Sequence, residues 1–141
     1  MLELAEHKFH FDSCQMPLNV LDAHFRSFEK NVVPKLVGQR IAVLGMKPLA
    51  EGEVPRSGVA SAIECLHYAL SLPTTVVING CETMERLEQA LEAARTCKPL
   101  PEARLAALRA KTKQVALTGR LERFKTSDTF NGTAKNPQWM G

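Results

Sequence analysis

The stretch PTTVVINGCETMERLEQALEAAR, residues 73–95, carries the change of period on which the fold turns. Thr74 to Ile78 is a short β-branched run, the signature of a strand buried on both faces. Asn79-Gly80 punctuates it. Helical spacing follows, with Met84, Leu87, Leu91 and Ala94 on one stripe. A strand feeding a helix through a tight glycine turn aims free N–H groups at whatever lies over the strand's C-terminal end. Such an end attracts phosphate, and Arg86 in the first turns has a guanidinium suited to grip one. The same residues also read as an ordinary strand–turn–helix with a solvated arginine.

Working outward, the same alternation recurs. Phe11 to Met16 reads as a strand ended by Pro17, which cannot donate to a ladder, and its Gln15 is polar where an aliphatic is expected. Phe25, Phe28, Val32 and Leu36 give a helix that Pro34 kinks or shortens and Gly38 stops. Ile41 to Leu44 is a second strand, and a loop rich in Glu, Gly and Pro runs on to about Gly58. Ala62, Ile63, Leu66, Ala69 and Leu70 mark a helix stopped before Pro73. Pro101 opens a last helix as its first residue, striped by Leu105, Leu108, Thr112 and Val115 and ended by Gly119. Met1 to Phe9 reads as the last turns of a helix with no capping residue before it. From Arg120 the tail loses periodicity and reads as a surface loop anchored by Phe124, Phe130 or Trp139. Asn131-Gly132-Thr133 fits a glycosylation acceptor but reads more simply as a turn.

Strands alternating with helices predict parallel pairing with right-handed crossovers. Three parallel strands leave long apolar edges unpaired, so the expectation is part of a larger sheet or closed barrel.

The bulk numbers bound the function. At 141 residues with 45% apolar content, one core is the default. A net charge of +3 permits an anionic ligand but, without a basic stripe interleaved with aromatics, does not argue for nucleic acid. Nothing approaches the length of a membrane span. Cysteines at 14, 65, 81 and 97 form no C-x-x-C pair and the N-terminus has no secretory character, which predicts free thiols in a reducing cytoplasm. His7, His10 and His24 with Asp12, Asp22 and Cys14 have no zinc spacing, so no metal site is expected. Cys81, near a helix start, is the thiol most worth testing for reactivity, though it reads more simply as capping or lining the turn. Arg109, Lys111 and Lys113 read as a solvated helix face.

Three segments then carry a resemblance. CQMPLN at 14–19 with VLDAHFRSFEKNVVP after it resembles the sixth strand and helix of the aldo/keto reductase family. IAVLGMKPLA at 41–50 resembles the seventh strand and its loop, and TTVVINGCETMERLEQAL at 74–91 the eighth strand and the helix after it. The tail motifs FKTSDTFNGT and NPQW are similar to the ending of a bacterial-type subgroup. The likeness covers nearly the whole chain.

The resemblance implies a partial (β/α)8 TIM barrel: about three parallel strands alternating with helices in residues 1–119, then an irregular tail, 120–141. A whole barrel takes about 250 residues. It implies NADP(H) bound without a Rossmann fingerprint, none of which occurs here. Gln15 matches the glutamine that bonds the nicotinamide carboxamide. Met46 stands where the family often has an aromatic on the ring, and Lys47 beside it reaches the pyrophosphate. Gly80, Cys81 and Thr83 occupy the turn near the adenosine phosphate. Arg86 matches the basic residue on the 2′-phosphate, and Gln89 lies near the adenine, whereas Ala90 replaces a common asparagine.

The family reduces aldehydes or ketones with a tyrosine acid assisted by lysine, histidine and aspartate from the first half of the barrel. Tyr68 is the single tyrosine. Its helical neighbours Glu64, Cys65, Ser71 and Leu72 include no lysine, so it reads as a packing residue. No catalytic residue is assigned, and the chain alone is expected to be inactive. The alternatives are an interaction module that pairs its open strand edges with itself or a complementing chain, and a truncated reading frame without independent function.

Overall fold

The computed structural model describes His7, residues 9–130 and residues 132–140. The N-terminal helix reading falls mostly outside the described residues, as does Asn131 of the tail turn.

Three parallel strands form one sheet in the order β1-β2-β3: β1 Ser13–Pro17, β2 Ala42–Met46 and β3 Val76–Val77. The register pairs Gln15 with Leu44 and Leu44 with Val76 in one row, Met16 with Gly45 and Gly45 with Val77 in the next. Successive residues point to opposite faces. On one face Met16 and Val43 are buried in the main core, with Leu18 beside them. Gly45 suits this crowded row, because a Cβ there would lie 3.3 Å from Thr74 Cγ2 and 3.5 Å from Leu18 Cβ.

Between β1 and β2 the expected helix is split into α1 Phe28–Asn31 and α2 Val33–Gly38. The break at Val32 is what Pro34, with no N–H to give, imposes. The Glu/Gly/Pro loop after β2 contains one short turn of helix, α3 Glu53–Arg56. Helix α4, Ala62–Ser71, starts with a capping box: the Ser61 hydroxyl accepts from the Glu64 N–H at 3.1 Å, and the Glu64 carboxylate accepts from the Ser61 N–H at 2.8 Å. Helix α5, Met84–Thr96, follows β3, and α6, Glu102–Ala116, closes the main body. Pro101 is the N-cap of α6 rather than its first residue. Leu105, Leu108 and Thr112 are buried as the stripe predicts. The chain turns away at Gly119, whose φ of +66° is the left-handed conformation.

Further expectations are corrected. The run Thr74 to Ile78 is not a strand buried on both faces: β3 spans only Val76–Val77, and Val76 and Ile78 are exposed. The stripe Met84, Leu87, Leu91 and Ala94 does form on α5, but it is exposed. The buried residue of that helix is Ala93, on the side that meets α4 through the His67 Nε2 contacts, 3.1 Å from the Ala93 carbonyl oxygen and 3.1 Å from Thr96 Oγ1. Nor is the tail a plain surface loop. Residues 123–126 form α7 and residues 132–135 form α8. The tail is anchored by a charge, not by Phe124: Lys125 Nζ donates to Asp22 at 2.6 Å, to Glu122 at 3.0 Å and to the Phe25 carbonyl at 2.9 Å, all three acidic and basic side chains being buried.

The fold class is therefore α/β with a three-stranded parallel sheet alternating with helices. No helix is long and apolar enough to cross a membrane among the described residues.

Candidate nucleotide-binding groove

The loop after β2 and the turn after β3 leave the same end of the sheet side by side. The β2 loop is conformationally unusual. Lys47, Ala50 and Glu51 all have positive φ, at 53°, 49° and 60°, followed by Gly52 at 82°. A left-handed non-glycine residue costs about 1–2 kcal/mol, and such strain concentrates where a loop serves a ligand. Backbone bonds from Ala50 N–H to the Lys47 carbonyl at 2.9 Å and from Gly52 N–H to the Leu49 carbonyl at 3.0 Å hold the shape. The Lys47 ammonium pairs with Glu51 and lies 5.2 Å from the Phe124 ring centre.

Across from it, Thr83 caps α5, its hydroxyl accepting from the Arg86 N–H at 3.3 Å. The same threonine holds the exposed Glu85 carboxyl below its usual range. Between the loop and the helix start lie two adjoining hollows of about 580 and 550 Å³ that share Leu49, Gly52, Arg56, Thr83 and Arg86. Gln89 lines the first, Lys47 and Gly80 the second.

Five of the eight residues expected at a cofactor are thus brought to one groove: Lys47, Gly80, Thr83, Arg86 and Gln89. Three are not on its walls. Cys81 is exposed, two residues before the cap, with Asn79 Nδ2 3.9 Å from its sulfur. Gln15 and Met46 sit together on the sheet, Gln15 Nε2 donating to Met46 Sδ at 3.2 Å.

Sequence reasoning missed Arg56. It folds back over Gly52, donating to the Glu53 carboxylate at 2.8 Å and the Glu51 carbonyl at 2.8 Å, and a Cβ on Gly52 would lie 3.2 Å from its Nη2. The run Glu-Gly-Glu-Val-Pro-Arg signals a turn, but nothing in it signals which way the arginine points.

Each cation has a carboxylate neighbour, Lys47 with Glu51, Arg56 with Glu53 and Arg86 with Glu82 at 3.4 Å. Exposed pairs of this kind are worth only about 0–1 kcal/mol. A phosphate would compete with these carboxylates for the same guanidinium and ammonium donors. Among its described lining residues the groove holds three cations that could donate to an anion, and no tyrosine or histidine.

Tyr68 lies elsewhere, fully buried on α4. Its hydroxyl donates to Glu29 at 2.6 Å and accepts from Arg109 Nε at 2.9 Å, while Arg109 also bonds Glu29 at 2.8 Å and Glu102 at 2.6 Å. Arg109 is thus a clamp between α1, α4 and α6, not part of a solvated face. Burial first, and the Glu29 carboxylate next, push the phenol far above its ordinary range. That is the opposite of tuning for proton exchange near neutrality. Burial likewise pushes the Cys65 thiol up to about 12. The histidines and acids near the N-terminus are apart from one another in role: His10 Nε2 contacts the Gln39 carbonyl oxygen at 2.9 Å, and Asp22 receives Lys125. Among the described residues no group of three or more His, Cys, Asp or Glu is placed to hold a metal ion.

Comparison with known proteins finds no match for this chain among family models, curated proteins or solved structures.

Proposed function

We propose that this chain is the cofactor-gripping C-terminal portion of an aldo/keto reductase-like oxidoreductase, binding NADP(H) at the groove between the β2 loop and the start of α5. The observation that carries the reading is the gathering of Lys47, Gly80, Thr83, Arg86 and Gln89 along one groove at the same end of adjacent parallel strands. In this reading Arg86 and the α5 N-terminus hold the 2′-phosphate, Lys47 the pyrophosphate and Gln89 the adenine end. Gln15 and Met46, in contact on the sheet, meet the nicotinamide. Arg56 joins the phosphate grip from the opposite wall. The bound dinucleotide supplies hydride chemistry; the chain's residues supply binding and orientation. Without a positioned acid the developing alkoxide is unstabilised, so this chain alone turns over no aldehyde or ketone.

The test is a fluorescence titration of NADPH and NADH against the chain and an Arg86→Ala variant. Loss of one charge-assisted contact is worth about 1.5–3 kcal/mol. NADPH binding weakens by that amount while NADH is nearly unchanged. Equal losses for both dinucleotides, or no NADPH binding by the parent chain, overturn the proposal.

A second reading, an interaction module completed at its open strand edge by a second copy or a complementing chain, is favoured by the exposed apolar residues of the edge strand β3 and of α5.

A further inference from the structure

Between the end of β3 at Val77 and the start of α5 at Met84 the chain crosses a turn centred on Asn79-Gly80. Its two ends are tied down. The Ile78 N–H donates to the Gly45 carbonyl at 2.7 Å, and the Thr83 carbonyl accepts from the Leu87 N–H at 3.0 Å. Its middle is not: none of residues 79–82 makes a backbone–backbone hydrogen bond among the described residues. Gly80 is exposed. The Asn79 carboxamide has one weak contact, its Nδ2 lying 3.9 Å from Cys81 Sγ.

An asparagine followed by glycine can react with its own backbone. The next peptide nitrogen closes a five-membered ring on the side-chain carbonyl carbon, and a residue without Cβ leaves both the approach and the main chain free. The other described asparagines are not arranged for this. Asn19 is buried, accepts from the Leu21 N–H at 2.9 Å and donates to Glu122 at 3.2 Å. Asn31 lies in α1, before the β-branched Val32. Asn136 precedes Pro137, whose nitrogen has no proton to give up.

We infer that Asn79 is a site of spontaneous deamidation whose product changes the charge of the groove. The Gly80 nitrogen bonds to Asn79 Cγ and loses its proton. The Cγ–Nδ2 bond breaks, and the amide nitrogen leaves with that proton as ammonia. Water then opens either carbonyl of the succinimide, giving aspartate or, with the main chain rerouted through Cβ, isoaspartate. Nothing is oxidised or reduced.

The position gives the reaction its consequence. Asn79 lines the hollow of about 550 Å³ together with Lys47, Arg56, Arg86, Glu51 and Glu82. Three cations against two carboxylates leave +1 on that wall, and a third carboxylate cancels it. Isoaspartate also adds one main-chain carbon between β3 and α5. The reaction itself rests on the turn alone; its bearing on NADP(H) rests on the nucleotide reading above.

Ageing the folded chain for days in mildly alkaline buffer at physiological temperature, then mapping its peptides by mass spectrometry, tests the inference. The peptide carrying Asn79 gains one mass unit and contains isoaspartate, while Asn19, Asn31 and Asn136 stay intact. Asn131-Gly132 is the same dipeptide, with Asn131 outside the described residues, and the map reads it separately. Gly80→Ala slows the change at Asn79 at least about fivefold, since ring closure then meets a Cβ and a stiffer main chain. That variant fits the fold: the φ of Gly80 is not left-handed, and its Cβ would meet only the Glu82 side chain, 3.4 Å from Oε1. Should it nevertheless lose its circular dichroism, Asn79→Gln gives the second reading, because one more methylene disfavours the ring and the mass gain disappears. Asn79 intact in the aged, folded chain, product spread evenly over Asn19 and Asn31, or an unchanged rate in the folded variants each overturns the inference.

Discussion

The first strand–helix units and the last one are made from similar sequence material but end in different surroundings. Around β1 and β2 the sheet face carrying Met16 and Val43 is sealed by helices and tail, and the polar groups trapped there are paired: Asp22 with Lys125, Glu122 with Asn19 and Lys125. Asp22 also accepts from the Phe28 and Glu29 N–H groups at 3.1 and 2.7 Å, so the start of α1 hangs on it. Around β3 and α5 the apolar residues face outward, and the helix is held by Ala93 and by hydrogen bonds to His67. The difference teaches that period selects the element, whereas burial depends on what else is present to cover it.

The sealed side breaks most sharply at Lys125. Its ammonium stands between two buried carboxylates, and burial already raises the Glu122 carboxyl above its usual range. Replacing it with an apolar side chain, Lys125→Met, leaves Asp22 and Glu122 without their cation and costs about 3–5 kcal/mol in urea unfolding. A group whose folded pKa is raised contributes stability that is fully present below its unfolded value and lost as pH rises through the folded one. The variant's deficit is therefore larger at neutral pH than near pH ~4, around the unfolded carboxyl value. A loss below about 1 kcal/mol would mean that the network does not anchor the tail.

The next largest effect is expected at Gly119, where the tail leaves α6. A Cβ there would lie 2.5 Å from Phe25 Cε1 and 2.9 Å from Thr126 Cγ2, on a backbone with φ of +66°. Gly119→Ala forces a ring and the left-handed backbone to give together, for about 1–3 kcal/mol by thermal or urea unfolding. A neutral outcome would show the tail free to shift, against the sealed picture.

Much of this was legible in the residues, and the failures share a cause. The strand at Ile41 to Leu44, the Pro34 break and the α6 stripe follow from local period and backbone chemistry, so they emerge without the fold. The exposure of Leu87 and Leu91 was not legible, because an apolar stripe says that a face wants cover and not that cover exists. Arg109 looked like a solvated cation because its partner Glu29 lies 80 residues away in sequence, and Lys125 drew no reading because Asp22 lies 103 residues away. At the groove, Arg86 was legible from the strand–turn–helix pattern, and Thr83 only through the family resemblance. Arg56 was not, since its direction is set by Gly52 and the left-handed loop.

Helix α4 stands between the two regions, touching α5 on one side and α6 through Tyr68 and Arg109 on the other. Its start therefore offers the smallest and most even test of the comparison. Ser61→Ala removes one half of the capping box and costs about 1 kcal/mol. The other half is separately visible through pH. The Ser61 N–H donating to Glu64 is the leading reason its carboxyl titrates below the usual range, with the Ser61 hydroxyl and Lys111 at 3.4 Å assisting. A depressed folded pKa gives stability that is present above the unfolded value, about 4.3, and lost as pH falls through the folded one. Ser61→Ala keeps its backbone N–H, so it lowers the stability curve while retaining most of that acid-side loss. Glu64→Gln does the reverse and flattens the acid limb. If the two variants give parallel curves between pH ~3 and 7, the reciprocal cap is not what fixes α4, and its place between the sealed and open regions rests on packing alone.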